Sequence, residues 1–321
     1  MAAMQILVGL IFLGVGGDAL VRGAVGAAER LKISPLVTGL VLVGFGTSTP
    51  ELVTSLSAVL QGSSGIAIGN VIGSNIANIL LILGLTAAIT PICAEPRAFK
   101  RDAPMLAIAT GACVVFALNG EFGRLTGVVF LAILLAYVGF TYVKERGEFD
   151  RQAKLHVEAT ELVAVRPRAL WLSTLIAAGG VALVIFGANW MVSGSISIAR
   201  TLGVSETVIG LTIVAIGTSL PELATSVIAA LRKQTDIAFG NIIGSNIFNT
   251  LGIIGVAAAV APITVPPKVL TYDLWLLVAV TALLLYFAFT EARLSRREGA
   301  VFLVLYTAYL GFLALRATSA L

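Results

Sequence analysis

Long apolar stretches follow one another along almost the whole chain, separated by short polar loops. Of the 321 residues, 58% are hydrophobic and only 12% are charged, about half the charged share of an ordinary soluble domain. A transmembrane helix needs about 20 apolar residues, and the pattern predicts ten such helices. The predicted spans are 4–28, 35–60, 66–90, 104–118, 124–143, 170–199, 205–231, 237–261, 269–289 and 299–316. We therefore expect an all-α polytopic membrane protein whose surroundings are the lipid bilayer.

The basic residues predict which side of the membrane each loop occupies, because Lys and Arg favour cytoplasmic loops. With both termini outside, sixteen of the 21 Lys and Arg residues fall in cytoplasmic loops and four outside. Arg22 lies within the first span, and the basic residues left outside are Arg124, Arg200, Lys268 and Arg316. The first apolar segment has no basic region before it and no clear cleavage site, so we interpret it as a retained helix.

The second half of the chain repeats the first half at a constant offset of 171 residues. GTSTPEL at 46–52 recurs as GTSLPEL at 217–223, and GNVIGSNIAN at 69–78 recurs as GNIIGSNIFN at 240–249. Since each half holds five spans, an odd number, the second half enters the membrane from the opposite side. The two repeats are therefore expected to be inverted, an arrangement typical of secondary transporters with a site near the midplane.

This duplication predicts the organisation of the chain. The predicted units are a first five-helix repeat over 1–143, a cytoplasmic connecting loop over 144–169 and a second, inverted five-helix repeat over 170–321.

Each copy of the first motif places costly polar groups in the middle of an apolar segment. Pro50 removes a backbone donor and is expected to open the helix near 46–47, and Pro221 repeats this in the second half. The carbonyls that are freed in hydrocarbon need a partner from protein, water or a ligand. Glu51 and Glu222 lie near the bilayer centre, where a carboxylate costs at least ~2.5–3.5 kcal/mol. We therefore predict a functional role for both glutamates.

The second motif adds amide and hydroxyl groups to this inventory, which contains oxygen ligands and no sulfur or imidazole. The residues are Asn70, Ser74, Asn75, Asn78, Asn241, Ser245, Asn246 and Asn249. Ca²⁺ takes about 6–8 oxygen ligands, whereas soft transition metals favour Cys or His. One divalent cation neutralises both glutamates, and so do two monovalent cations. The residues therefore favour exchange of Ca²⁺ for several Na⁺.

Some of these polar and small residues have an equally plain structural interpretation. Asn75 and Asn246 are as well explained by structural hydrogen bonds as by ion binding. Asp18 and Arg22 lie four residues apart and predict a structural ion pair. Helix packing is the alternative for Gly46, Gly73, Gly217 and Gly244.

Other classes of function have little support in the sequence. The chain contains no nucleophile–base pair and no cofactor-binding loop, so we expect neither an enzyme nor a resident cofactor. His156, the only histidine, falls in the polar loop, and Cys93 and Cys113 are too far apart to indicate a metal site or disulfide framework. The basic residues are spread over loops, which argues against nucleic acid as a partner. Nothing resembles the repeated carbonyl rings of a channel filter.

The paired motifs resemble the α-repeats of the sodium/calcium exchanger family, and the resemblance covers essentially the whole chain. It implies a prokaryotic member, because 144–169 is too short for the large regulatory domain of animal exchangers. The resemblance also implies the ion-binding residues: Glu51 and Glu222 as central ligands, Thr47 and Thr218 through carbonyl or hydroxyl, Ser48, Ser74, Ser219 and Ser245 at the Na⁺ positions, and Asn78 and Asn249 beside the central site.

The chain departs from parts of the wider superfamily in ways that bear on its coupling ion. Potassium-dependent relatives carry Asp where this chain has Asn249, which argues against K⁺ co-transport. Proton/calcium exchangers carry an acidic residue within the second motif, and neither copy here contains one. Position 49 is Thr where the second copy has Leu, a change expected to alter packing only.

The sequence therefore predicts an antiporter that exchanges Na⁺ for Ca²⁺ by alternating access and extrudes Ca²⁺. The resemblance places it in a prokaryotic plasma membrane, with Ca²⁺ and Na⁺ as substrates and no obligate protein partner evident. The alternative is a proton-coupled exchanger of Ca²⁺ or another divalent cation.

Overall fold

The structure of the protein, a computed structural model, describes residues 2–31, 35–93, 96–156, 169–202, 215–291 and 293–318. Nearly all of these residues are helical. The helices of the first half are α1 (Ala2–Leu31), α2 (Pro35–Thr38), π1 (Gly39–Val43), α3 (Gly44–Thr47), α4 (Thr49–Leu60), α5 (Ser64–Ala77), π2 (Asn78–Leu83), α6 (Gly84–Ile89), α7 (Pro96–Ala117) and α8 (Arg124–His156).

The second half follows the same order. Its described helices are α9 (Leu170–Thr201), α10 (Ala215–Gly217), α11 (Leu220–Leu231), α12 (Thr235–Ile247), π3 (Phe248–Ile253), α13 (Ile254–Val260), π4 (Val269–Asp273), α14 (Leu274–Glu291) and α15 (Arg296–Thr318). The bounds repeat at the offset of the sequence duplication: α4 and α11 begin and end at equivalent residues, and π2 and π3 do so within one residue.

Six described helical segments are long and apolar enough to cross a membrane. They are Ala2–Leu31, Ser64–Ile89, Arg124–Lys144, Leu170–Ala199, Thr235–Val260 and Val269–Phe289. The molecule is therefore a membrane-embedded helical protein. Large apolar side chains such as Leu7, Val128 and Phe186 are exposed on these helices and form a surface suited to lipid.

The segments that carry the second motif lie at the centre of the bundle. Most residues of Ser64–Ile89 and Thr235–Val260 are buried, whereas most residues of α1 and α9 are not. Since α5 and α12 contain the asparagines and serines of the motif, these polar groups are held within the protein and away from lipid.

Helices α1 and α9 pack against each other through glycine in antiparallel fashion. A Cβ atom on Gly9 would lie 2.7 Å from the carbonyl oxygen of Gly187, and one on Gly16 would lie 3.0 Å from that of Gly180. As the residue number rises along α1, the number of its contact on α9 falls. The backbones approach so closely that a side chain at these positions has no room.

Two short antiparallel sheets join the halves. β1 (Ile92–Cys93) pairs with β4 (Arg293–Leu294), and β2 (Glu121–Phe122) pairs with β3 (Ile263–Thr264). Each sheet takes one strand from each half, so the connections after α6 and α13 are both tied to the opposite repeat.

Two boundaries differ from those predicted. Helix α7 begins at Pro96 instead of 104, because proline suits a first helical turn and the charged residues after it continue the helix. Helix α8 continues to His156, into the segment predicted as a connecting loop, since the run of Lys, Glu, Arg, Gln and Ala there favours helix. Residues 157–168 of that loop and 205–214 of the seventh predicted span lie outside the described residues.

Candidate ion-binding site

Both proline-containing motifs interrupt a helix at their serine. Helix α3 ends at Thr47 and α4 begins at Thr49, and Ser48 between them has φ −81° and ψ 11°. In the second half, Ser219 separates α10 from α11 with φ −91° and ψ 6°. The break lies one or two residues beyond the predicted position. Glu51 and Glu222 therefore fall in the first turn of a new helix, where the helix dipole stabilises a negative charge.

A side chain adds a hydrogen bond at the carbonyl that Pro50 cannot serve. Proline has no N–H for the carbonyl one turn earlier, that of Gly46. The hydroxyl of Thr49 donates to this Gly46 oxygen over 2.9 Å, and a backbone N–H at the end of α3 bonds to the same oxygen. The second half carries Leu220 at the equivalent position, which offers no hydroxyl to the carbonyl of Gly217. Thr49 therefore has a specific role in the first repeat that a packing interpretation did not include.

The two glutamates are buried and accept hydrogen bonds from the opposite repeat. Ser48 Oγ donates to Glu222 Oε1 over 2.8 Å, and Ser219 Oγ donates to Glu51 Oε1 over 3.4 Å. Each glutamate is only 1% exposed. The crossed bonds show that the interrupted segments of the two halves meet face to face, which brings both carboxylates into one place.

Four buried carboxylate and amide oxygens have no hydrogen-bond partner among the described residues. They are Glu51 Oε2, Glu222 Oε2, Asn78 Oδ1 and Asn249 Oδ1. Within the described part of the chain, neither glutamate forms an ion pair with a basic side chain. Buried acceptors of this kind are nearly always satisfied in folded proteins, and two uncompensated carboxylates are costly in a membrane. Carboxylate and amide oxygens without a donor are groups that could serve as ligands to a hard cation.

The asparagines that open the second motif fix the position of the glutamate backbone. Asn70 Nδ2 donates to the hydroxyl of Ser55 over 2.9 Å and to the carbonyl of Glu51 over 3.2 Å. In the second half, Asn241 Nδ2 donates to the hydroxyl of Ser226 over 2.8 Å and to the carbonyl of Glu222 over 3.3 Å. These bonds tie α4 to α5 and α11 to α12 in the same way.

The remaining predicted residues form hydrogen bonds of different kinds. Thr47 Oγ1 donates to the carbonyl of Val43 over 3.0 Å, and Ser245 Oγ donates to that of Gly44 over 3.3 Å. Ser74 Oγ donates to Asn70 O over 2.7 Å. Of the ten predicted residues, nine are buried: Thr47, Ser48, Glu51, Ser74, Asn78, Ser219, Glu222, Ser245 and Asn249.

Thr218, the tenth predicted residue, is half-buried and borders a cavity of about 430 Å³. Asn70 and Ser74 also line this cavity, and Asp273 and Tyr306 line another part of it. The polar end of the cavity therefore lies beside the glutamate-containing segments.

Three residues of this network were not predicted. Ser55 lies one turn after Glu51, and Ser226 lies one turn after Glu222, so the repeat offset was a signal that would have found both. Thr250 accepts a hydrogen bond of 2.9 Å from Asn75 Nδ2. Its equivalent in the first half is Ile79, so the duplication gave no sign of Thr250.

Comparison with known proteins places this arrangement in a family. The model of the sodium/calcium exchanger protein family matches residues 1–143 and 172–315. The putative antiporter CaxA of Alkalimonas amylolytica is 38% identical over 312 residues, which cover 96% of this chain and 97% of that protein. The sodium/calcium exchanger MaX1 of Methanosarcina acetivorans is 36% identical over 338 residues, covering 95% of this chain and 96% of that one.

A solved structure of the sodium-calcium exchanger NCX_Mj, soaked with Na⁺ and Ca²⁺, has the same fold. It superposes with a TM-score of 0.82 at 32% sequence identity and covers 97% of both chains. The family model, the full-length relatives and the fold agree with one another. This chain belongs to the sodium/calcium exchanger family.

Proposed function

We propose that this protein exchanges Na⁺ for Ca²⁺ across a prokaryotic plasma membrane by alternating access. The observation that carries the proposal is the set of four unpartnered acceptor oxygens on Glu51, Glu222, Asn78 and Asn249. Carboxylate and amide oxygens are ligands that Ca²⁺ favours. Membership in the sodium/calcium exchanger family supports a transport role for this set.

The proposed architecture is ten transmembrane helices in two inverted repeats of five. The matching helix bounds at the repeat offset support two repeats. The antiparallel packing of α1 against α9 supports their inversion, because these helices open the two halves. The crossed bonds from Ser48 and Ser219 to the opposite glutamates support a site on the axis between them.

The proposed site uses the charge of the two glutamates as its common element. Glu51 and Glu222 are the central ligands for either ion, and Asn78 and Asn249 lie beside them. The other proposed ligands are Thr47, Thr218, Ser48, Ser74, Ser219 and Ser245. A Ca²⁺ ion neutralises both carboxylates, and Na⁺ ions do the same in the opposite step of the cycle. Exchange of more than two Na⁺ per Ca²⁺ moves net charge, which is worth about 2.3 kcal/mol per charge per 100 mV.

The proposed direction is Ca²⁺ extrusion driven by Na⁺ entry, with both termini outside. The bias of Lys and Arg toward the loops assigned to the cytoplasm supports this orientation. In the proposed cycle, α1 and α9 slide as a pair against the remaining helices. The close glycine contact supports their movement as one unit, and their low burial supports a peripheral position.

The test is uptake of ⁴⁵Ca²⁺ into proteoliposomes loaded with Na⁺, with K⁺ or choline, or with an imposed pH gradient. We expect uptake only with internal Na⁺, and faster uptake with a positive-inside potential if three or more Na⁺ exchange. Glu51→Gln and Glu222→Gln should abolish this uptake, whereas the matched control Glu121→Gln, on an exposed residue of β2, should retain it. Uptake that follows the pH gradient and ignores Na⁺ would establish the proton-coupled alternative instead.

A further inference from the structure

Four asparagine side chains form hydrogen bonds across the contact between α5–π2 and α12–π3. Asn78 Nδ2 donates to Asn246 Oδ1 over 3.0 Å, and Asn249 Nδ2 donates to Asn75 Oδ1 over 3.1 Å. Asn246 Nδ2 lies 3.4 Å from the backbone carbonyl of Asn75, and Asn75 Nδ2 lies 3.4 Å from that of Asn246. All four side chains are buried.

The backbone carbonyls determine which way each amide is turned. A carbonyl oxygen can only accept, so the Nδ2 group of Asn246 must face the Asn75 carbonyl. The Oδ1 atom of Asn246 is then the atom that meets Asn78, which must present its own Nδ2. In the same way, the Asn246 carbonyl faces the Nδ2 group of Asn75. The Oδ1 atom of Asn75 then meets Asn249, which presents its own Nδ2. The network thereby removes the ambiguity between the oxygen and nitrogen of each amide.

The consequence is that Asn78 and Asn249 each keep an acceptor oxygen without a partner, while their Nδ2 groups donate within the network. These two Oδ1 atoms are the amide oxygens without a partner. An amide turned the other way would present N–H groups, which repel a cation. The orientation of Asn78 and Asn249 is therefore as important for cation binding as their identity.

We propose that Asn75 and Asn246 are positioning residues that hold the oxygens of Asn249 and Asn78 available to the transported cation. The proposal rests on the proposed function, which makes Asn78 and Asn249 ligands. Each positioning residue acts on the asparagine of the opposite repeat and not on its own neighbour three residues away. The site is in this way assembled only when the two halves are in contact.

The Asn75–Asn249 pair has more hydrogen bonds to the surrounding residues than the Asn246–Asn78 pair. Asn75 Nδ2 also donates to the hydroxyl of Thr250 over 2.9 Å, whereas the residue equivalent to Thr250 in the first half is Ile79. In addition, Asn249 Nδ2 donates to Ser74 Oγ over 3.2 Å. The oxygen of Asn249 is therefore held more firmly than the oxygen of Asn78.

The experiment measures Ca²⁺ and Na⁺ affinity of the purified full-length protein from the cation-dependent rise in its melting temperature. Loss of a side chain that orients a metal ligand typically costs about 10-fold or more in affinity. Asn75→Ala and Asn246→Ala should each weaken binding by about this factor. Thr86→Val, which removes a buried hydroxyl bonded only to its own helix backbone, should leave affinity unchanged.

Double-mutant cycles separate positioning from a general loss of structure. Asn246→Ala should cause no further loss in an Asn78→Ala background, and Asn75→Ala none in an Asn249→Ala background. For the two pairs within one repeat, Asn75 with Asn78 and Asn246 with Asn249, the fold losses in cation affinity should instead multiply. Thr250→Val should weaken binding, and this effect should vanish in the Asn249→Ala background.

Coupling that follows the helix, or additive losses in the crossed pairs, would overturn the positioning roles. These results are distinct from failure of the proposed function, which is measured as exchange. A wild-type protein that binds Ca²⁺ but shows no Na⁺-driven uptake overturns the exchange, and the crossed cycles still decide the positioning roles. A wild-type protein whose melting temperature responds to neither cation overturns both.

Discussion

Ser48 of the first half donates a hydrogen bond of 2.8 Å to Glu222 of the second half. The symmetry-related bond, from Ser219 to Glu51, measures 3.4 Å. The two glutamates are equivalent in the sequence motif, but they differ in how firmly the opposite repeat holds them. The pseudo-symmetry of the site is therefore incomplete at the residues that carry its charge.

This difference predicts unequal effects of removing the two serines. A hydrogen bond to a charged group contributes about 1.5–3 kcal/mol, so Ser48→Ala should lower Ca²⁺ affinity about 10-fold or more. Ser219→Ala should cost less, because its bond is longer and weaker. Transport assays over a range of external Ca²⁺ concentrations measure the apparent Ca²⁺ affinity of each variant. Equal losses of Ca²⁺ affinity in the two variants would contradict the inferred difference in strength between the two hydrogen bonds.

Thr49 predicts a stability effect without an effect on ion binding. Its hydroxyl donates to the Gly46 carbonyl, which also accepts a backbone N–H at the end of α3, and the side chain itself is exposed. Thr49→Val should destabilise the protein by about 0.5–1.5 kcal/mol, the net value of one hydrogen bond. Thermal unfolding in detergent measures the loss. A control is Thr307→Val, which removes an exposed hydroxyl bonded to an ordinary helix carbonyl, and a loss of equal size there would remove the special role of Thr49.

The glycine contact between α1 and α9 predicts a strong dependence on position along one helix. A Cβ atom on Gly180 would lie 2.4 Å from the backbone nitrogen of Leu20, whereas one on Gly179 would have nothing within 4 Å. Gly180→Ala should therefore force the helices apart and cost about 1–3 kcal/mol. Gly179→Ala should be neutral or stabilising by up to about 1 kcal/mol, because alanine favours helix.

Melting temperatures and transport rates of these two variants decide this prediction. If Gly180→Ala and Gly179→Ala behave alike, α1 and α9 do not approach as closely as the structure shows. A loss of transport in Gly180→Ala with unchanged melting temperature would indicate that the contact matters for motion more than for stability.

Asp18 takes part in an ion-pair cluster that has no equivalent in the other half. It pairs with Arg22 over 2.9 Å, as the sequence predicted, and also with Arg232 at the end of α11. The equivalent residues of the other repeat are Asn189, Ser193 and Gln61, which carry no charge. The cluster therefore ties α1 to α11 on one side of the molecule only.

A double-mutant cycle with Asp18→Asn and Arg232→Gln should show a coupling of about 0.2–1 kcal/mol in stability, the range for partly exposed pairs. Because the bond joins α1 to α11, breaking it should also change the transport rate if α1 slides in the cycle. Asn189→Ala, at the equivalent position on α9, should show no coupling with Arg232→Gln. Additive effects of the first pair would indicate that the ion pair contributes nothing measurable.

The helical, membrane-embedded character of the chain could be predicted because the length of apolar segments reports directly on the bilayer. Helix boundaries at charged segments could not be predicted in this way. The start of α7 at Pro96 and the continuation of α8 to His156 depend on helix propensity, which hydropathy does not reveal. The helix breaks at Ser48 and Ser219 followed from proline to within two residues, because the missing N–H acts locally.

By itself the sequence determined that this is a duplicated membrane protein with two central glutamates. Duplication, apolar length and charge within apolar segments can all be read from the order of residues along the chain. The tertiary structure decided which partner each polar group has. Asn75 and Asn246 were undecided between ion binding and structural bonding, and only their contacts across the repeats distinguish them from Asn78 and Asn249. The physical reason is that an amide offers both a donor and an acceptor, and which of them faces a cation depends on partners far away in the chain.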